Sequence, residues 1–234
     1  MVEIVPAVLP KNFKDLETHL AAVRPGASGS RMAQIDVVDG VFAHNRTWPY
    51  RDEATFAKIV DEEKGLPFWE EFDFQFDLMI EHPEERVMDF ARAGATHIVL
   101  HARSNGALDA FEKLVGLREE SGVYSVKAGL ALLPGAQPEE LEPFEAQFDF
   151  VQVMGIARAG FQGEPFDKHA IYLVERMRRR YPELIIQVDG GVSLKNANAL
   201  AKVGANRLVV GSSIFKQDDP VQAIAALRAE ANRI

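Results

Sequence analysis

The chain has 234 residues, 47% of them hydrophobic and 26% charged. This is enough apolar material for one large soluble domain with a full core. The net charge of −9 argues against a nucleic-acid surface, which needs a basic face. With no cysteine, disulfides, thiolate metal sites and cysteine nucleophiles are excluded, and the composition fits a reducing cytoplasm.

Short apolar runs alternate with helical patterns from end to end. Strands are expected at residues 4–9, 32–38, 72–79, 97–101, 125–132, 150–154, 185–189 and 207–210. Between them, residues 12–23 carry Phe13, Leu16, Leu20 and Val23 at helical spacing behind Asn12, a candidate cap. Further helices are expected at 83–93, stopped by Gly94, at 106–120, ending before Gly122, and at 166–180, ending before Pro182. Two more follow at 194–203, stopped by Gly204, and at 220–232. The basic cluster Arg176, Arg178, Arg179 and Arg180 reads as a solvated helix end, where cations favour the C-terminal dipole. Residues 39–51 form the longest irregular stretch, a candidate lid or binding loop whose Trp48 and basic residues could select the ligand, and 155–165 form a second. No run of 18 apolar residues and no basic-then-apolar leader is present, so neither a membrane span nor a signal peptide is expected.

Strict alternation argues for a parallel sheet. Eight repeats suggest closure into a (β/α)8 TIM barrel over residues 1–234 as one domain, although a doubly wound sheet shares the pattern. Near the end, Val188-Asp189-Gly190-Gly191 and Val210-Gly211-Ser212 each carry a strand into a glycine turn and then a helix. Two such turns side by side can hold a phosphate on backbone N–H groups. In a barrel, reactive groups sit at the C-terminal strand ends. Those ends carry Gln34, Asp36, Asp77, His101, Met154 and Asp189.

Several motifs then occur in order. They are Val5-Pro6-Ala7-Val8-Leu9, Gln34-Ile35-Asp36-Val37-Val38-Asp39-Gly40, Asp77-Leu78-Met79, Ala93-Gly94-Ala95, Leu133-Pro134-Gly135, Gly160-Phe161-Gln162-Gly163, Val188-Asp189-Gly190-Gly191 and Gly211-Ser212. Together they resemble the ribulose-phosphate 3-epimerase family over nearly the whole chain. The resemblance implies a ribulose-phosphate-binding barrel that moves the C3 proton of a pentulose 5-phosphate through an enediolate. It assigns the acid and base to Asp36 and Asp189, and the phosphate grip to Gly163, Gly190, Gly191, Gly211 and Ser212. Met79 and Met154 match methionines that line the family's site, and His101 joins the substrate-side set. It also implies a small phosphorylated sugar as ligand, no organic cofactor, no nucleic-acid or membrane partner, a cytoplasmic setting and a homo-oligomer.

The family's divalent metal is bound by two His and two Asp, and here the chain departs. Gln34 stands for the histidine two residues before the first aspartate, and Asp77 for the histidine of strand three. Ala7 replaces a serine and Leu133 an asparagine, and the strand-six loop lacks a proline before its first glycine. If a metal is kept, Gln34, Asp36, Asp77 and Asp189 form an all-oxygen set, which favours Mg²⁺ or Mn²⁺ over Zn²⁺. If none is kept, three carboxylates crowd one mouth, at least one pKa rises, and a raised carboxyl can serve as general acid. The enediolate oxygen then needs another electrophile, for which His101, Arg158, His44 and Arg46 are the candidates. Two other functions share the scaffold. A lyase working through a Schiff base would have only Lys127 as a strand lysine, and a non-catalytic phosphate-ligand binder would explain the lost histidines.

Overall fold

The computed structural model describes residues 1–121, 126–144, 147–161 and 163–233, of which 118–121 are described by their backbone alone. Among these residues, parallel strands close into a barrel in chain order. They are β1 Glu3–Val8, β2 Met32–Val38, β3 Asp73–Met79, β4 Ala95–His101, β5 Lys127–Leu132, β6 Phe150–Met154, β7 Ile185–Asp189 and β8 Arg207–Val210. β8 pairs with β1, so no sheet edge remains and the doubly wound alternative is excluded. Of the expected strand and helix ends, Ser125 and Gly122 lie outside the described residues, as does Gln162 of the strand-six loop.

The strands read as apolar runs because both faces are covered. All seven residues of β2 are buried. Outward residues such as Ile35, Phe74, Phe76 and Leu100 share one core with Leu16, Leu20, Phe56, Phe90, Leu173 and Leu200 from the surrounding helices. Inward residues Val38, Met79, Val99, Ala131, Phe150 and Met154 fill part of the lumen, and Val5, Ala7, Met32 and Val209 another part.

Most helices lie where periodicity placed them. Phe13–Ala22 opens on Asn12, whose side chain accepts the Asp15 N–H at 2.9 Å. Pro220–Ala231 opens on Asp219, which accepts the Gln222 N–H. The expected helix at 83–93 is broken. His82 takes a left-handed conformation before Pro83, a 3₁₀ turn covers Pro83–Glu85, and the α-helix is only Val87–Arg92. The helices expected from 166 and 194 begin later, as His169–Arg180 and Ala197–Lys202. Helices Pro25–Ser28, Glu53–Val60 and Ser212–Phe215 and the 3₁₀ turn Pro138–Phe144 were not anticipated. No helix among the described residues is long and apolar enough to cross a membrane.

The loop at 39–51 is an ordered strap over the barrel mouth. Asp39 accepts N–H bonds from Val41, Phe42 and Glu81, which ties the loop to the end of β3. Asn45 donates its amide to the Gly160 carbonyl at 3.0 Å, which ties it to the β6 loop. Gly160 has φ +84, and a Cβ there would stand 2.8 Å from the Ala43 methyl, so the two loops touch where only glycine fits. Trp48, a candidate for selecting the ligand, faces the other way. It is fully buried, with its ring edge-on to Phe13 and Phe56.

Trp48→Ala is therefore expected to cost about 3–5 kcal/mol in urea unfolding through cavity formation. Trp48→Phe, which keeps an aromatic ring in the site and loses an indole N–H that has no hydrogen-bond partner, leaves a smaller cavity and should cost less. Equal stabilities for the two variants would contradict a packing role.

Candidate active site

Strand periodicity builds this site. In a strand, residues two apart share a face, so Gln34 lies beneath Asp36, Gln75 beneath Asp77, Gln152 beneath Met154 and Gln187 beneath Asp189. Asp36 and Asp77 are register partners across β2 and β3. Asp189 is the register partner of Met154 across β7 and β6. Barrel closure brings these walls together. Asp36, Asp77 and Asp189 each offer a carboxylate oxygen, and the three lie within 4.8 Å of one another. They are 7%, 0% and 8% exposed.

Amides satisfy this cluster. The Nε2 of Gln34 donates to Asp36 Oδ1 and to Asp189 Oδ2, both at 2.8 Å. Its Oε1 accepts from Gln75 Nε2 at 2.6 Å. On the other side, Gln152 Nε2 donates to Asp77 Oδ2 at 2.8 Å, and Gln152 Oε1 accepts from Gln187 Nε2 at 2.5 Å. His101 Nε2 meets Asp77 Oδ1 at 2.9 Å, with the Phe42 ring packed at 4.9 Å. Asp77 is thus held at both oxygens.

Burial first, then the charges of Asp189 and Asp77, push the Asp36 carboxyl well above the usual carboxylate range, against the Gln34 hydrogen bond. Burial and then Asp77 likewise raise Asp189. Like charges this close hold a proton among them unless a cation joins them. The three carboxylates could together hold a metal ion through hard oxygens, with the Gln34 oxygen as a fourth donor if that amide is reversed.

Above the carboxylates lies a pocket. It is lined by Asp36, Asp189, Met79 and Met154, by Gly163, Gly190, Gly191, Gly211 and Ser212, and by Ala7, Ile156, Gly160, Phe161, Val192 and Val209. Gly191 has φ +66, and a Cβ there would stand 2.9 Å from the Phe166 Cα, so the turn after β7 admits no side chain. The expected aspartates, methionines and glycines therefore converge. His101 stands behind them on Asp77, and Gln34 and Asp77 lie below the pocket wall. The other candidate electrophiles point elsewhere. Arg158 pairs with Glu164 at 2.8 Å in solvent, Arg46 donates to the Asp39 carbonyl, and His44 is exposed. Lys127 is exposed at the start of β5, in register with His97 at the opposite end of the barrel.

Four participants were not foreseen. Gln75, Gln152 and Gln187 are one set, and the signal for Gln75 and Gln187 is the repeat Gln34-Ile35-Asp36, Gln75-Phe76-Asp77 and Gln187-Val188-Asp189 on three strands, while Gln152 stands at the same place two residues before Met154. Lys216 is the fourth. Its Nζ comes within 3.2 Å of the point where a Cβ on Gly163 would stand, beside the glycine loops.

A family model described as the ribulose-phosphate 3 epimerase family matches residues 3–215. A ribulose-phosphate 3-epimerase from Candida glabrata is 32% identical over 98% of this chain and 92% of its own length. One from Bacillus subtilis is 32% identical over 97% of this chain and 99% of its own. Among solved structures, KGPDC from Streptococcus mutans superposes with a TM-score of 0.69 at 12% identity, covering 100% of this chain and 99% of that one. A 3-hexulose-6-phosphate synthase superposes with a TM-score of 0.65 at 18% identity, covering 98% and 99%. At these identities the structures share the barrel fold.

Below the glutamines, the barrel floor holds His97. Burial, aided by Arg207 and Lys127, lowers its pKa from the usual 6.5 to about 3. Between those values the unfolded chain binds the extra proton, so stability falls as pH falls, by at most about 1.4 kcal/mol per pH unit. His97→Gln should remove this component. Urea unfolding at about pH 6, 5 and 4 should show a smaller acid loss in the variant than in the parent, and parallel losses would contradict the assignment.

Proposed function

The chain belongs to the ribulose-phosphate 3-epimerase family, and we propose that it is an isomerase inverting C3 of a pentulose 5-phosphate, interconverting ribulose 5-phosphate and xylulose 5-phosphate. One observation carries this reading. Asp36 on β2 and Asp189 on β7 reach the pocket from separate walls, share one amide donor, and lie beside glycine loops suited to phosphate.

The phosphate rests on the turns at Gly163, Gly190, Gly191, Gly211 and Ser212, with Lys216 as a nearby cation. This anchors the sugar with C3 between the two aspartates. One aspartate, ionised, removes the C3 proton on its face and leaves an enediolate. The other, protonated, returns a proton to C3 on the opposite face, and the roles exchange for the reverse reaction. The raised pKa values of both carboxyls suit this division, because one must be an acid near neutrality while the other is a base. Met79 and Met154 supply apolar walls that exclude water from the reacting carbon. Asp77, held by His101 and Gln152, stands against Asp189 and favours its protonated form.

A divalent cation suits this centre, held by Asp36, Asp77, Asp189 and the Gln34 oxygen, with Mg²⁺ or Mn²⁺ preferred over Zn²⁺. When bound it would stabilise negative charge on the enediolate oxygens. With the reading go a single barrel domain, a cytoplasmic setting and a homo-oligomer. A Schiff-base lyase is disfavoured because Lys127, the strand lysine it would use, is exposed at the start of β5, away from the pocket.

Proton–deuterium exchange at C3 of ribulose 5-phosphate in D₂O, followed by NMR, tests the assignment. Asp36→Asn and Asp189→Asn should each slow exchange by roughly 10²–10⁴-fold. Full exchange in both variants would overturn the acid–base roles. Gly191→Ala should raise KM far more than it lowers kcat, since the strained turn serves the phosphate and not the reacting carbon.

A further inference from the structure

Two glutamine pairs run up the barrel lumen, and each ends below in an oxygen without a partner. Gln75 Oε1 and Gln187 Oε1 are both buried and accept no hydrogen bond. His97, the register partner of Gln75 on β4, has a buried ring Nε2 that is also unpartnered. Its tautomer follows from its neighbours. The Thr96 hydroxyl gives its hydrogen to the Phe74 carbonyl at 3.0 Å, so His97 Nδ1 carries the proton and donates to Thr96 Oγ1 at 2.9 Å. The Nε2 is therefore a bare acceptor. Two bare acceptors on neighbouring strands cannot satisfy each other, and buried acceptors left unpaired are costly.

Reversing the amides of Gln75 and Gln34 together changes this arrangement. Gln75 would then turn its N–H group to the floor, where the registered His97 offers an acceptor. Gln34 would donate to Gln75 and present its oxygen to Asp36 and Asp189. That orientation sets an oxygen against carboxylates, which is tolerable only with a cation among them. In the orientation observed, the Gln34 N–H group itself occupies the space between the two carboxylates.

We propose that Gln75 is a positioning residue that sets which end of Gln34 faces the three aspartates, and so governs whether the centre admits a divalent cation. The proposal rests on the reading of these aspartates as a cation-competent centre. A carboxylate at position 75 has no hydrogen to give, so it accepts from Gln34 Nε2 and turns the Gln34 oxygen toward the aspartates. A methionine there removes the hydrogen bond that holds Gln34 in its present sense while keeping volume.

The experiment uses Mn²⁺ alone, without substrate, and reads free ion by EPR, so it is independent of epimerase activity. Gln75→Glu is expected to bind Mn²⁺ at least about tenfold more tightly than the parent chain. Gln75→Met should tighten it roughly three- to tenfold, the worth of one neutral hydrogen bond, and stands in if the buried carboxylate prevents folding. Because added charge alone also attracts a cation, each substitution is repeated in a Gln34→Met background. There the Gln75→Met tightening should vanish, and the Gln75→Glu tightening should shrink to what the added charge alone supplies. The same Mn²⁺ affinity in parent and Gln75 variants, or equal tightening with and without Gln34, would overturn the proposal. Loss of C3 exchange with the Mn²⁺ pattern intact would instead count against the proposed reaction alone.

Discussion

Three like charges in one dry space are the constraint around which this barrel is organised. Asp36, Asp77 and Asp189 are nearly inaccessible to water, and their oxygens lie within 4.8 Å of one another. Left to themselves, such groups would repel and neutralise. The neighbours answer with donors, from Gln34, Gln152 and His101. Neutral amides soften the repulsion without removing it, so burial first and like charge second keep the Asp36 and Asp189 carboxyls high in pKa. A cluster that must hold a proton or a cation is also one that can pass a proton, so the same strain that burdens folding equips the site for acid–base chemistry.

The mouth is built on a different principle. Reacting groups sit on strand ends, which the closed sheet holds rigidly, whereas ligand-holding groups sit on loops and glycine turns. The loops at 39–51 and 155–165 are not independent, because Asn45 and the Gly160–Ala43 contact couple them. Phe42 belongs to this strap and also packs on His101, so the cover touches the residue that braces Asp77.

The fold was legible because the barrel repeats a simple rhythm. Buried parallel strands of four to seven residues alternate with helices, β6, β7 and β8 stop at a glycine, and the strand-end aspartates could be read from the ends of these runs. Helix starts were less legible. His82 and Pro83 broke one helix by backbone geometry that periodicity does not register, and Ser212–Phe215 is too short to show a period. Trp48 was misleading because a tryptophan in a polar loop looks like a ligand contact, when its partners Phe13 and Phe56 come from the surrounding helices. The glutamines were hidden for a sharper reason. On a strand covered on both faces, a polar residue gives no sign of its direction, and only closure of the barrel points Gln75, Gln152 and Gln187 at one another.

The repeated Gln-x-Asp on β2, β3 and β7 then gains a physical meaning. An imidazole in place of Gln34 or Asp77 would offer one nitrogen to a soft-to-borderline cation and could itself carry positive charge. An amide does neither, but it has two unlike ends, a donor and an acceptor, and its orientation is decided by whatever lies beneath it. With a second amide beneath, each pair becomes a two-way element whose sense propagates from the barrel floor to the carboxylates. On the proposed reading, the centre is lined by oxygen alone only when the Gln34 amide is reversed, so its fitness for a hard cation depends on the glutamines two residues below, which decide which face of the amide it sees.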